Sequence, residues 1–170
     1  EGVIEGFGEL ELATNEIKPA IKDADVIMVV VPATGHRQIA VECAQHLTED
    51  QTVLLNPGRT FGALEFMQVL SEKKSRRIPT IAEAQTFIYV SRHTDFARAR
   101  IMQIKNSVPL AAVPAHKTPK VLDTVRKAFP EFVAATNVLE TSLDNIGAIF
   151  HPTLTLLNAS RIESTHGDFE

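Results

Sequence analysis

Apolar residues along this chain follow two rhythms, and the rhythms mark out its elements. Residues 26–31 read VIMVVV, a continuous and largely β-branched run with no polar alternation. Such a run predicts a strand buried on both faces, as in the middle of a parallel sheet. Pro32 and Gly35 end it, and helical spacing follows over 37–47, with Ile39, Cys43 and Leu47 on one face. The pattern then repeats. Residues 52–56, TVLLN, read as a second short buried strand, PGR as a turn, and 61–71 as a helix.

Strand-like segments follow in IPTIAEA and TFIYVSR, and again over 102–105 and 108–113. A helix is expected over 117–129, opened by Thr118 as N-cap with Pro119 at the first helical position. Upstream, 16–22 can form a short helix with Pro19 in its first turn, and the glycine-bearing stretch 1–15 suits short strands and turns. Alternation of this kind predicts an α/β sheet with right-handed crossovers. From Val138 the texture turns helical on both sides of His151–Pro152, and 153–163 offers Leu156, Leu157 and Ile162 for packing. That reads as the start of a second, mainly helical domain.

Composition acts mainly by exclusion. A chain 44% hydrophobic and 22% charged is of the folded globular class. A net charge of −4 over 170 residues argues against a general binder of nucleic acid or of anionic membranes. The basic cluster Lys73, Lys74, Arg76, Arg77 reads as a solvated helix end. Cys43 is the lone cysteine, which excludes an internal disulfide and fits a reducing, cytoplasmic compartment. Its helical setting makes it a core residue rather than a nucleophile. The apolar run at 26–31 is far too short to span a bilayer. The histidines share no metal-ligand spacing with one another or with Cys43, so no metal site is expected. The chain opens in mid-pattern at Glu1, and a piece of a longer protein is the expectation.

Ligands of an open parallel sheet bind beyond the carboxyl ends of its strands. Pro32, Ala33 and Thr34 follow the first strand, and Asn56, Pro57, Gly58 and Arg59 follow the second. Small residues there admit a ligand close to the backbone, and Asn56 offers both a donor and an acceptor. Ordinary strand-to-helix turns are the alternative at both places. No GxGxxG occurs, and EGFGEL lacks the strand before it and the helix after it. A pyrophosphate grip is therefore expected upstream of Glu1. Farther on, Asn145 and His151 fall roughly on one side of a single helix at about 3.6 residues per turn. Histidine suits proton transfer near neutral pH. A helix-end histidine preceding proline is the alternative there.

The segments VVVPATGHRQIA, LLNPGRTFGALEF, EAQTFIYVSR and LETSLDNIGAIFHPTLTLLNASRIE resemble, in order and spacing, the NAD/NADP octopine/nopaline (opine) dehydrogenase family. The resemblance covers nearly the whole chain, and its most specific pieces are LLNPGRTFGALEF and NIGAIFHPTLTLLNASRIE. It implies an incomplete Rossmann-type parallel-sheet domain over 1–137, lacking its glycine-rich unit, followed by the start of a helical substrate domain over 138–170. It implies reductive condensation of an amino acid with a 2-oxo acid, with NAD or NADP as cofactor. The partners are then small molecules, and a homodimer is left open.

The resemblance also assigns roles. His151, in FHP, takes the catalytic acid/base role, and Asn145, in DNIG, hydrogen-bonds on the substrate or nicotinamide side. Pro32, Ala33, Thr34 and Asn56 fall where the family's strand ends meet the cofactor. Three family features lack a counterpart: the glycine-rich loop, the acidic residue that chooses between NAD and NADP, and the helical-domain aspartate that partners the histidine. Asp168 does not match that aspartate. The piece alone is expected to be inactive. Two other readings stay open. One is a two-domain dehydrogenase acting on glycerol 3-phosphate or a 2-hydroxy acid, which usually carries a catalytic lysine where FHP stands. The other is a non-catalytic interaction module in which His151 merely packs.

Overall fold

A computed structural model describes residues 2–166; Glu1 and residues 167–170, Asp168 among them, lie outside the described residues. The strands are β1 (Val26–Val29), β2 (Thr52–Leu55), β3 (Thr80–Ala84), β4 (Tyr89–Asp95), β5 (Arg98–Ile104), β6 (Val108–Val113) and β7 (Phe132–Ala134). The helices are α1 (Ile17–Ile21), α2 (His36–Cys43), α3 (Gly62–Glu72), α4 (Thr118–Val125), α5 (Val138–Leu143), α6 (Gly147–Leu157) and α7 (Ala159–Thr165). Five strands form one sheet in the order β1-β2-β3-β6-β7, while β4 and β5 form a separate hairpin.

The fold is the expected Rossmann-type α/β sheet, with one refinement. β1, β2 and β3 run parallel, in a register that sets Val29 beside Leu55 and Leu55 beside Glu83. β6 then runs antiparallel to β3, with Ala84 opposite Leu110, and β7 follows β6 in parallel. The reason lies in the connection. Parallel neighbours need a crossover, usually a helix. Here the β4–β5 hairpin goes out and returns, and the Lys105 N–H donates to the Ile88 carbonyl at 2.9 Å, bringing the chain back to the edge where β3 ended. β6 can only run the other way.

Side chains alternate across the sheet with the strand period of two. Val53, Leu55 and Ile81 face one apolar layer with Phe66, Val69 and Leu70 of α3 and Ala40 and Cys43 of α2. Leu54, Ala82 and Ala84 face the other, with Leu110, Phe132 and Val121, Leu122 and Val125 of α4. Helices on both faces make three layers. Cys43 is a core residue, and burial, followed by the Glu42 charge, pushes its thiol up to about 11.

Several local expectations change. β1 stands at the edge of this sheet rather than in its middle, so Val26, Ile27 and Met28 are only half-buried. α2 ends at Cys43 instead of extending to Leu47. Thr118 is the first residue of α4 rather than its N-cap; its hydroxyl accepts from the Ala112 N–H at 3.0 Å and ties the helix to β6. Residues 2–16 form no strand, although the Val3 N–H donates to the Ile101 carbonyl at 2.9 Å. No residue of α6 or α7 is buried, and Leu156 and Leu157 stay exposed. No helix among the described residues is long and apolar enough to cross a membrane.

Candidate functional site at the carboxyl edge of the sheet

The carboxyl ends of β1, β2 and β3 lie side by side, and the chain leaves each through a tight connection. After β1, Pro32 leads into a 3-10 turn over Ala33–Gly35, and Pro32, Ala33 and Thr34 are all exposed at this edge. After β2, Asn56 is buried; its N–H donates to the Val29 carbonyl at 2.9 Å, and its Nδ2 reaches the Met28 sulfur at 3.4 Å. Asn56 Oδ1 is a buried acceptor without a partner. Unpaired buried polar atoms are rare because each costs about 1–3 kcal/mol.

The loop beyond Asn56 is unusually constrained. The Gly58 N–H donates to the Ala84 carbonyl at 2.9 Å, and a β-carbon on Gly58 would lie 2.4 Å from the Glu83 Cβ. Arg59 and Phe61 both adopt left-handed backbone, with φ of 58° and 62°. Non-glycine residues pay for that conformation, and such outliers gather at functional loops. The Arg59 guanidinium lies over the Phe87 ring, 5.9 Å from its centroid.

Glu83 anchors this loop and was missed as a site residue. It projects onto the α3 face of β3 and is fully buried. One carboxylate oxygen accepts from the Ala63 N–H at 2.9 Å; the other accepts from the Thr141 and Ser142 hydroxyls, each at 2.6 Å. The Ser142 hydroxyl in turn accepts from the Phe61 N–H at 3.0 Å. One carboxylate therefore ties together β3, the start of α3 and helix α5. A sequence signal existed: Glu83 interrupts the apolar strand TIAEA, and a buried acid must be matched by donors.

His36 was likewise passed over. It opens α2, is buried beside Gly62, and leaves Nε2 unpaired. Burial lowers its pKa; the Glu65 charge and a hydrogen bond with the Pro57 backbone oppose this, and Arg59 adds to the lowering.

Helix α5 connects the sheet to the segment bearing His151. Asn137 caps α5, accepting from the Leu139 and Glu140 N–H groups at 2.9 and 3.3 Å. Beyond its end, the Gln85 amide donates to the Asp144 carbonyl at 2.8 Å and to its carboxylate. Asn145 Nδ2 reaches the Thr60 hydroxyl at 3.4 Å. Asn145 precedes α6 and so does not share a helix with His151, as the spacing had led us to expect. The two still converge on Gly147, whose missing β-carbon would lie 3.5 Å from Asn145 Oδ1 and 3.4 Å from His151 Nε2. His151 is exposed on α6. Thr60, Asn145, Gly147 and His151 thus form one chain of neighbours leading away from the edge of β2. Among the described residues no cluster suited to a metal ion is present.

Comparison with known proteins gives this arrangement its context. Residues 134–170 match the NAD/NADP octopine/nopaline dehydrogenase alpha-helical domain. Over 159 residues the chain is 41% identical to an opine dehydrogenase of Arthrobacter sp. (strain 1C), covering 94% of this chain and 44% of that protein. Its fold is similar to octopine dehydrogenase in a structure described with NADH and pyruvate, at a TM-score of 0.71 and 19% identity, over 94% of this chain and 40% of that one. It is also similar to NADP+-bound yersinopine dehydrogenase, at a TM-score of 0.65 and 16% identity, over 84% of this chain and 35% of that one. Residues 134–170 thus resemble this family's alpha-helical domain, and the chain over most of its length is similar to an opine dehydrogenase. It spans less than half the length of the curated relative it matches.

Proposed function

We propose that this chain is part of an NAD(P)-dependent opine dehydrogenase, which condenses the amine of an amino acid with a 2-oxo acid reductively, or runs the reverse reaction. The observation that carries the reading is the meeting of Asn145 and His151 around Gly147, linked through Thr60 to the carboxyl edge of β2. His151 exchanges a proton at Nε2 with the oxygen or nitrogen of the reacting carbon, a role suited to imidazole near neutral pH. Asn145 orients the substrate by hydrogen bonding.

The edge fits a nicotinamide cofactor where it can be tested. The unpaired Asn56 Oδ1 suits an amide or hydroxyl donor, and Pro32, Ala33 and Thr34 leave backbone accessible beside it. When bound, the cofactor supplies or accepts hydride. The division of labour follows the chain: residues 1–137 belong to the dinucleotide-binding domain, and 138–170 begin the substrate domain, a split supported by the Asn137 cap and by the match over 134–170. A cytoplasmic setting suits the single buried thiol.

The test is NADH or NADPH oxidation by the full-length protein with pyruvate and a panel of amino acids. Turnover that requires both an amine and the oxo acid is expected. Oxidation that proceeds equally without any amine would sink the reading in favour of a 2-hydroxy-acid enzyme.

A further inference from the structure

Two cations near this edge are used by nothing described so far. Arg59 lies over the Phe87 ring, and Lys105 donates to the Thr86 hydroxyl at 2.8 Å, so both converge on the turn that follows β3. Both are half-buried. The ion pairs among the described residues join Lys22 to Asp23 and Arg37 to Glu65 and Glu72, and none reaches this pair. Two like charges held close without a carboxylate repel each other, and partial burial weakens the screening that water would give. Consistently, burial and then the Arg59 charge lower the Lys105 pKa. Arg59 is held there by left-handed backbone, so the loop itself is strained to present it. Arg59 also adjoins Thr60, the residue that reaches Asn145.

We propose that Arg59 and Lys105 form an anion seat and take the carboxylate of the 2-oxo acid. The proposal rests on the reading of the site as that of an opine dehydrogenase and names the element that recognises one substrate. Charge selects between the two substrates. The oxo acid is a net anion with no cationic group, whereas a zwitterionic amino acid would bring its ammonium toward two positive charges. Guanidinium offers a planar fork for carboxylate, and the ammonium adds a second, movable donor.

The experiment measures pyruvate binding by calorimetry on the full-length protein saturated with NADH, for the wild type, Arg59→Gln and Lys105→Met, with Lys105→Arg as the charge-preserving variant. NADH affinity is measured separately on all four. Each charge-removing variant is expected to weaken pyruvate binding by about ten- to a hundredfold, with NADH affinity unchanged and Lys105→Arg close to wild type. Pyruvate binding should also take up protons at alkaline pH, since a carboxylate favours the charged form of Lys105, and Lys105→Met should abolish that uptake. A fall in NADH affinity instead would assign the pair to a cofactor phosphate and overturn the proposal. Unchanged pyruvate binding in both variants would overturn it too. Binding is read without turnover, so an enzyme with no amine-dependent reaction that still binds pyruvate through this pair would defeat the proposed reaction and leave the anion seat standing.

Discussion

Gly58 sits directly over Glu83, so that a β-carbon at position 58 would fall 2.4 Å from the Glu83 Cβ and 2.6 Å from one carboxylate oxygen. The contact joins the loop after β2 to the most heavily hydrogen-bonded carboxylate in the described structure. It also explains why a glycine stands at a place where the sequence shows only a turn. The nearest atom belongs to the stem of a side chain held in a strand, not to a flexible tip. Gly58→Ala must therefore displace the loop or the strand. A loss of about 1–3 kcal/mol is expected, as for other insertions into packed interiors. Chemical denaturation of the variant checks this, and a midpoint equal to wild type would show that the loop yields freely.

Glu83 itself offers a sharper test, because three donors depend on it. Glu83→Ala leaves the Ala63 N–H and the Thr141 and Ser142 hydroxyls without their acceptor. Thr141 has an alternative in the Val138 carbonyl at 3.1 Å, so part of the loss is recoverable. A cost of about 3–5 kcal/mol is expected, since each buried donor left without an acceptor costs about 1–3 kcal/mol. Glu83→Gln keeps one acceptor oxygen and should cost less than half as much. Equal destabilisation by both substitutions would mean that packing, not acceptor capacity, is what the carboxylate provides.

How much of this was legible in the sequence follows from what each signal encodes. The runs at 26–31 and 52–56 gave strands because apolar continuity reports burial directly, and β2 is indeed buried. Sheet order does not follow from such runs. Nothing within VIMVVV says that no further strand pairs beside it here, so β1 was expected at the centre and stands at the edge. The reversal of β6 depends on a hairpin whose strands, β4 and β5, carry mostly exposed residues and hence little periodic signal. At the site, Asn56, Asn145 and His151 could be picked out by residue type and by the family resemblance. Arg59 stood at the same edge without a role, and Glu83 left a signal as the one acid in the apolar strand TIAEA; His36 and Lys105 could not be picked out, since their importance lies in contacts between segments far apart in sequence.

His36 makes stability depend on pH in a definite direction. Its pKa in the folded protein is lowered from 6.5, chiefly by burial. Between that lowered value and 6.5 the unfolded chain binds more protons than the folded one. Stability from this group is therefore fully present above pH 6.5 and is lost as pH falls through the folded value. Glu65 and the Pro57 backbone oppose the shift, so Glu65→Gln should steepen the loss. Comparing denaturant midpoints at pH 7.5 and pH 5.5, chosen about one unit either side of the ordinary histidine value, checks the sign. His36→Gln should flatten the difference. A wild-type protein that gains stability over the same fall would refute the assignment.

His151 should separate chemistry from binding. Loss of a general acid/base typically lowers turnover by about 10²–10⁴-fold. His151→Asn in the full-length protein is expected to fall in that range while NADH affinity holds, because the ring is exposed on α6. Its thermal midpoint should match wild type for the same reason. Turnover within twofold of wild type would return His151 to a packing role.

Asn56 sets stability against binding within one side chain. Its Oδ1 is buried without a partner, and its Nδ2 has only the weak acceptor Met28 Sδ at 3.4 Å. Replacing it with leucine, close in size, removes an unsatisfied acceptor and adds apolar contact. Stability should then stay level or rise, by as much as about 1–2 kcal/mol. Residues selected for binding often carry such a cost, and the cofactor is expected to repay it by donating to Oδ1. NADH affinity in Asn56→Leu should accordingly fall about tenfold, the worth of one well-placed hydrogen bond at about 1.4 kcal/mol. Thermal unfolding without cofactor and a fluorescence titration with NADH read the two effects separately. A variant less stable than wild type with unchanged affinity would make Asn56 a structural residue of the β2 turn and remove it from the cofactor site.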